Sequence, residues 1–132
     1  TVTEENTDTV FGAFGGWSGE GLRIGFEYHT SDHDNFDSAS SYTGSLSSVY
    51  LTYAINDNLS VIARTDDRNP NDDSTVVTDD ASTEIFGLIW TPVEGLSVCP
   101  NVTKTTRWSP FNPNSVGDDS VSDVALNFQF KF

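Results

Sequence analysis

The sequence predicts an all-β chain whose antiparallel strands follow one another up and down. Three observations predict it. Apolar and polar residues alternate with period two along most of the 132 residues, and helical periodicity is missing. Acidic residues gather in clusters that punctuate the apolar segments: Glu4, Glu5 and Asp8; Asp32, Asp34 and Asp37; Asp66, Asp67, Asp72, Asp73, Asp79 and Asp80; Asp118 and Asp119. Connections between the segments alternate short and long, as in a meander of hairpins.

The strands are read in order. Residues 11–17 open the series with Phe11 and Trp17. In the next, Leu22, Ile24, Phe26 and Tyr28 share one face and Arg23, Gly25, Glu27 and His29 the other, because successive side chains on a strand point oppositely. Val49, Leu51, Tyr53 and Ile55 then oppose Ser48, Tyr50, Thr52 and Ala54. Leu59, Val61 and Ala63 oppose Ser60 and Arg64, with Ile62 breaking the pattern. Phe86, Leu88 and Trp90 oppose Gly87 and Thr91, with Ile85 and Ile89 blurring it. Leu96, Val98, Pro100 and Val102 oppose Ser97, Cys99, Asn101 and Thr103. Last and clearest, Val124, Leu126, Phe128, Phe130 and Phe132 oppose Asp123, Ala125, Asn127, Gln129 and Lys131. This makes seven strands of about nine to eleven residues, the length that crosses a bilayer when tilted.

Tight turns are expected at Ser18-Gly19-Glu20-Gly21, Asn56-Asp57-Asn58 and Pro92-Val93-Glu94-Gly95, where Gly and Asn supply positive φ angles. Long acidic loops are expected over residues 31–45, 68–82 and 107–119. In transmembrane barrels short turns lie on the periplasmic side and long loops outside. The aromatics agree: Trp17, Tyr53, Trp90 and Phe130 with Phe132 each stand beside a short turn or the terminus, forming one girdle. Trp and Tyr suit a membrane–water boundary because the ring sits in apolar surroundings while its polar atom reaches water.

Composition narrows the function. Twenty acidic against six basic residues give a formal charge of −14, which excludes nucleic acid as partner, since phosphates need Lys and Arg to displace counterions. Cys99 is alone, so no intrachain disulfide and no Cys-based zinc site can form. No apolar run approaches the ~18 residues of a membrane helix. One domain is expected over residues 1–132.

The last strand, Val124-Ala125-Leu126-Asn127-Phe128-Gln129-Phe130-Lys131-Phe132, resembles the final strand of Gram-negative outer-membrane β-barrels of the porin kind, which end in Phe after alternating apolar residues. Tyr53-Ala54-Ile55-Asn56-Asp57-Asn58-Leu59-Ser60-Val61-Ile62-Ala63-Arg64 looks like a porin hairpin around a periplasmic turn. The resemblance implies an outer-membrane location, reading of the terminal strand by the barrel-assembly machinery, contact with lipid and lipopolysaccharide, and a homotrimer. Bacterial barrels carry an even number of strands. Seven is odd and residues 1–8 are too polar to add one, so an N-terminal stretch of barrel, or a second chain, is expected to complete the wall.

Candidate functional residues follow from the alternation. A charge facing lipid costs about 2–4 kcal/mol at the midplane, so Arg23, Glu27, Arg64 and Asp66 are expected to line the lumen as an electrostatic filter. The competing reading is an ion-pair network that stiffens a narrow wall. Asp32, Asp34 and Asp37 could hold Ca²⁺, but the EF-hand glycine and closing Glu are missing, and a solvated acidic loop is the commoner outcome. Asn58-Leu59-Ser60 and Asn101-Val102-Thr103 match the glycosylation sequon and are discounted as strand positions. His29 and His33 sit near one rim without a Ser–His–Asp set, so no catalytic residues and no other cofactor are assigned. The expected function is a water-filled pore for passive diffusion of small hydrophilic solutes or ions. The alternative is a closed structural or adhesive barrel with acidic surface loops. A third reading, a soluble β-barrel or sandwich binding carbohydrate or lipid, points the apolar face inward and the polar face outward. Leu88→Arg is expected to block insertion and Gly87→Ser, on the opposite face, to be tolerated.

Overall fold

The computed structural model describes residues 7–34, 41–72, 80–107 and 119–131, and these contain only strands and their connections. Seven strands run in chain order: β1 (Thr7–Gly19), β2 (Leu22–Asp34), β3 (Tyr42–Asn56), β4 (Leu59–Asn69), β5 (Ala81–Val93), β6 (Leu96–Arg107) and β7 (Asp119–Phe130). Each pairs antiparallel with the next, giving one open up-and-down sheet in the order β1 to β7. No helix of the described residues is long and apolar enough to cross a membrane, which leaves crossing by strands untouched.

Except for β4, with 11 residues, the strands are longer than the alternation suggests, up to 15 residues in β3. β1 begins at Thr7 and pairs it with Asp34, so Thr7 and Asp8, within the stretch read as too polar for a strand, belong to the sheet. β2 and β3 likewise continue past the apolar zone, pairing Asp32 with Thr43 and His33 with Tyr42. The reason is that ladder bonds are made by backbone groups, which pair whatever the side chains are. Hydrophobic alternation reports only the stretch whose side chains leave water.

The three short turns use three different solutions. Between β1 and β2, Glu20 and Gly21 both take positive φ, 51° and 80°, the pattern of a type I′ hairpin. At Asp57–Asn58 no residue has positive φ. Instead the Asn56 side-chain oxygen accepts the Asn58 N–H at 2.9 Å, and the register slips between Ala54 and Asn56. This is an Asx turn closed by a bulge. Between β5 and β6 only Gly95 is left-handed, at 82°, and the register shifts between Trp90 and Val93.

Glu20 is the one non-glycine with positive φ among the described residues, and a Cβ in that region costs about 1–2 kcal/mol. Glu20→Gly is therefore expected to raise stability by about 1 kcal/mol, read as a higher urea midpoint with unchanged slope. An unchanged midpoint would show that the turn relaxes without strain.

No second layer covers either face among the described residues. Among the described residues no apolar side chain is buried, and Ser48, 2% exposed, is the single buried polar one. The sheet thus has two complete faces and two unpaired edge strands, β1 and β7, within the described residues.

Candidate functional site

Directly paired residues of an antiparallel ladder share a face, so the register assigns every side chain. One face, here called the apolar face, collects Phe11, Ala13 and Trp17 of β1 and Leu22, Ile24, Phe26 and Tyr28 of β2. It continues through Val49, Leu51 and Tyr53 of β3 and Val61 and Ala63 of β4. Phe86, Leu88 and Trp90 of β5, Val98 and Val102 of β6, and Val124, Leu126, Phe128 and Phe130 of β7 complete it. Beyond the apolar residues, toward the long connections, the same face turns polar with Asp32, Thr43, Ser45, Asp67, Glu84, Lys104 and Ser122. Lys104 Nζ and Glu84 Oε2 lie 3.9 Å apart there.

The apolar band crosses the sheet obliquely. The row at right angles to the strands that starts at Trp17 passes through Ile24, Leu51, Ala63, Phe86 and Val102 to Val124. Tyr53 stands two residues beyond that row on β3, Trp90 four beyond it on β5, and Phe130 six beyond it on β7. Trp17, Tyr53, Trp90 and Phe130 therefore fall on one straight line, descending one residue per strand toward the short turns. All four are exposed on the apolar face. Phe132 lies outside the described residues. With ~3.3 Å rise per residue and ~4.8 Å between strands, that slope is an angle of about 35°.

The opposite face carries Arg23, Glu27, Arg64 and Asp66 together. Glu27, Ser48 and Asp66 form one lateral row across β2, β3 and β4, and Gly25, Tyr50 and Arg64 form the next. Arg64 donates its Nε–H to both Asp66 oxygens, at 2.8 and 2.9 Å. Such a pair in half-exposed surroundings contributes little to stability but holds the guanidinium along the wall. The buried Ser48 hydroxyl, between Glu27 and Asp66 in register, has no hydrogen-bond partner. Arg23 stands one row nearer the short turns, opposite Thr52.

All four arginines of the chain, Arg23, Arg64, Arg68 and Arg107, fall on this face, since Arg68 and Arg107 both pair with Ala81. Alternation alone does not draw attention to Arg68 and Arg107, because they stand where expected loops begin. The face is not uniformly polar. Ile62 pairs with Gly87, and Ile85 and Ile89 stand on either side of Gly87 on β5, which places the three exceptions to the alternation in one group. Val10 and Phe14 of β1 share this face as well.

Glycines let neighbouring rings lie flat on the sheet. Tyr50 covers Gly25 so closely that a Cβ there would stand 2.0 Å from its Cζ, and His29 covers Gly12 in the same way. At Gly87 the obstruction is backbone: a Cβ would lie 2.8 Å from the Pro100 carbonyl oxygen and 2.8 Å from Asn101 Cβ. The expectation that Gly87→Ser is tolerated is therefore corrected, because a side chain there requires the β6 backbone to shift.

At the far end of the face, His33 Nδ1 meets Asp8 Oδ1 across β1 and β2, and the His33 and Tyr42 rings lie 5.1 Å apart at 34°. Asp32 and Asp34 lie at the end of β2, with Asp37 outside the described residues. Among the described residues no three His, Cys, Asp or Glu side chains gather as a metal set. Cys99 is a half-buried free thiol pairing with Asn127 in register. The chain matches no protein-family model, no curated protein and no solved structure.

Proposed function

We propose that the seven strands are part of the wall of an outer-membrane β-barrel of the porin kind, with the apolar face toward lipid and the arginine-bearing face toward a water-filled pore. Small hydrophilic solutes or ions diffuse passively through it. The observation that carries this reading is the continuous apolar band on a sheet among whose described residues no apolar side chain is buried. Leaving a Val, Leu or Phe side chain in water forgoes about 1.5–3 kcal/mol each. Soluble monomers rarely expose contiguous apolar patches beyond a few hundred Å², so a band spanning seven strands calls for hydrocarbon as its solvent.

The slope supports the same reading. Strands of a closed barrel tilt by about 35–45° from its axis. If the aromatic line marks a membrane boundary, these strands tilt by about 35° from the normal. The wall is closed by further strands or by further copies of the chain, and a trimer, lipopolysaccharide at the acidic loops, and the barrel-assembly machinery at β7 are the proposed partners. Acidic residues at the long-connection end raise the local cation concentration at the mouth.

Reconstitution of the folded chain into planar lipid bilayers tests the proposal. Stepwise conductance with preference for cations is expected. Insertion without conductance would remove the pore, and strong anion preference would remove the proposed selectivity. The group Ile62, Ile85 and Ile89 on the pore side favours a second reading, a narrow barrel closed by packing whose acidic loops contact partners. Insertion without conductance is its expected result.

A further inference from the structure

We infer that Arg68 and Arg107 form a binding site for a small dianionic oxyanion, a phosphate or dicarboxylate, at the long-connection end of the polar face. This rests on the reading that the polar face meets water, and not on the width of any pore. Arg68, Ala81 and Arg107 occupy one lateral row across β4, β5 and β6. Two strand spacings separate the arginine Cα atoms, about 9–10 Å. Among the described residues only the methyl group of Ala81 stands between them in that row, which leaves room for the guanidinium groups to converge.

The row borders a hollow of about 520 Å³, whose lining includes Asp66, Thr83 and Thr105 besides the arginines and Ala81. All these positions lie on the one face. The volume suits a small solute, and the threonines offer hydroxyl donors on its floor. Asp66, the carboxylate in the lining, is already engaged by Arg64, so it adds little net negative charge to the hollow.

Neither Arg68 nor Arg107 makes an ion pair among the described residues, in a chain where acids outnumber bases 20 to 6. Arg107 pairs in register with Asp119 yet forms no contact with it within the 4.0 Å of an ion pair. Guanidinium forks match carboxylate and phosphate oxygens in bidentate fashion. Two unpaired forks facing one hollow are chemistry for a doubly charged oxyanion.

The test is calorimetric titration of inorganic phosphate, and separately succinate, into the folded full chain in detergent micelles at low ionic strength. Arg68→Gln and Arg107→Gln are each expected to weaken binding about tenfold or more, as loss of a charge-assisted hydrogen bond does, while Lys104→Gln, which removes the same charge from the opposite face, leaves it unchanged. Arg68→Lys keeps the charge without the fork and is expected to recover only part of the loss. Asp119→Asn, which removes a competing carboxylate, is expected to tighten binding. Absence of binding by the unaltered chain, affinity in either Gln variant equal to that of the unaltered chain, full recovery in Arg68→Lys, or weakening in Asp119→Asn would each overturn the site. Conductance without phosphate binding leaves the pore standing and removes this site; phosphate binding without conductance does the reverse.

Discussion

Leu88→Arg is expected to abolish insertion of the chain into lipid vesicles, while Ile89→Arg, one residue along, inserts normally. Leu88 belongs to the apolar band between Phe86 and Trp90, and Ile89 pairs with Ser60 on the other face. A charge in hydrocarbon costs about 2–4 kcal/mol at the midplane and less toward the boundary; Leu88, two residues inside Trp90, lies between these limits, where the cost is still a sizeable part of a domain's net stability. The same guanidinium on the polar face stays in water and costs little. Co-flotation of each variant with liposomes, and protection of its strands from added protease, measures the difference. Equal insertion of both variants would remove the lipid-facing assignment, and with it the pore. If both fail to insert but fold in water without detergent, the soluble sandwich is restored.

Gly87→Val is the second large effect. A Cβ at Gly87 would press on the Pro100 carbonyl oxygen, so the paired β5 and β6 backbones must shift apart to admit it. Overpacking of this kind costs about 1–3 kcal/mol, and two further methyl groups add to it beside Ile85 and Ile89. Urea unfolding in micelles should show a midpoint lowered accordingly. Gly25→Ala makes the contrast, because the obstructing atoms belong to the Tyr50 ring and a ring can swing off the sheet. Its cost is expected to be smaller, and to shrink further when Tyr50 is also replaced by Ala. A larger loss at Gly25 than at Gly87 would contradict the distinction between a movable ring and a fixed carbonyl.

The oblique line of Trp17, Tyr53, Trp90 and Phe130 shows how the two sources of information join. Each residue was legible as an aromatic beside a short turn. Their alignment is not legible, because it depends on how far each strand slides against its neighbour, and no single strand carries that quantity. Arg68 and Arg107 show the same limit more sharply. They are distant in sequence and stand where side-chain alternation fades, so only the ladder to Ala81 brings them into one row.

Sequence by itself determined the number and order of the strands, the two faces of each, and the place of the short turns. The cause is local: alternation with period two, and Gly, Asn and Asp at the bends, act within a few residues. Tertiary structure alone decided the strand ends, the bulges at the two later turns, the close approach at Gly87 and the stagger that slants the apolar band. These follow from backbone hydrogen bonding between strands, which every residue can make and which leaves no mark in the choice of side chain.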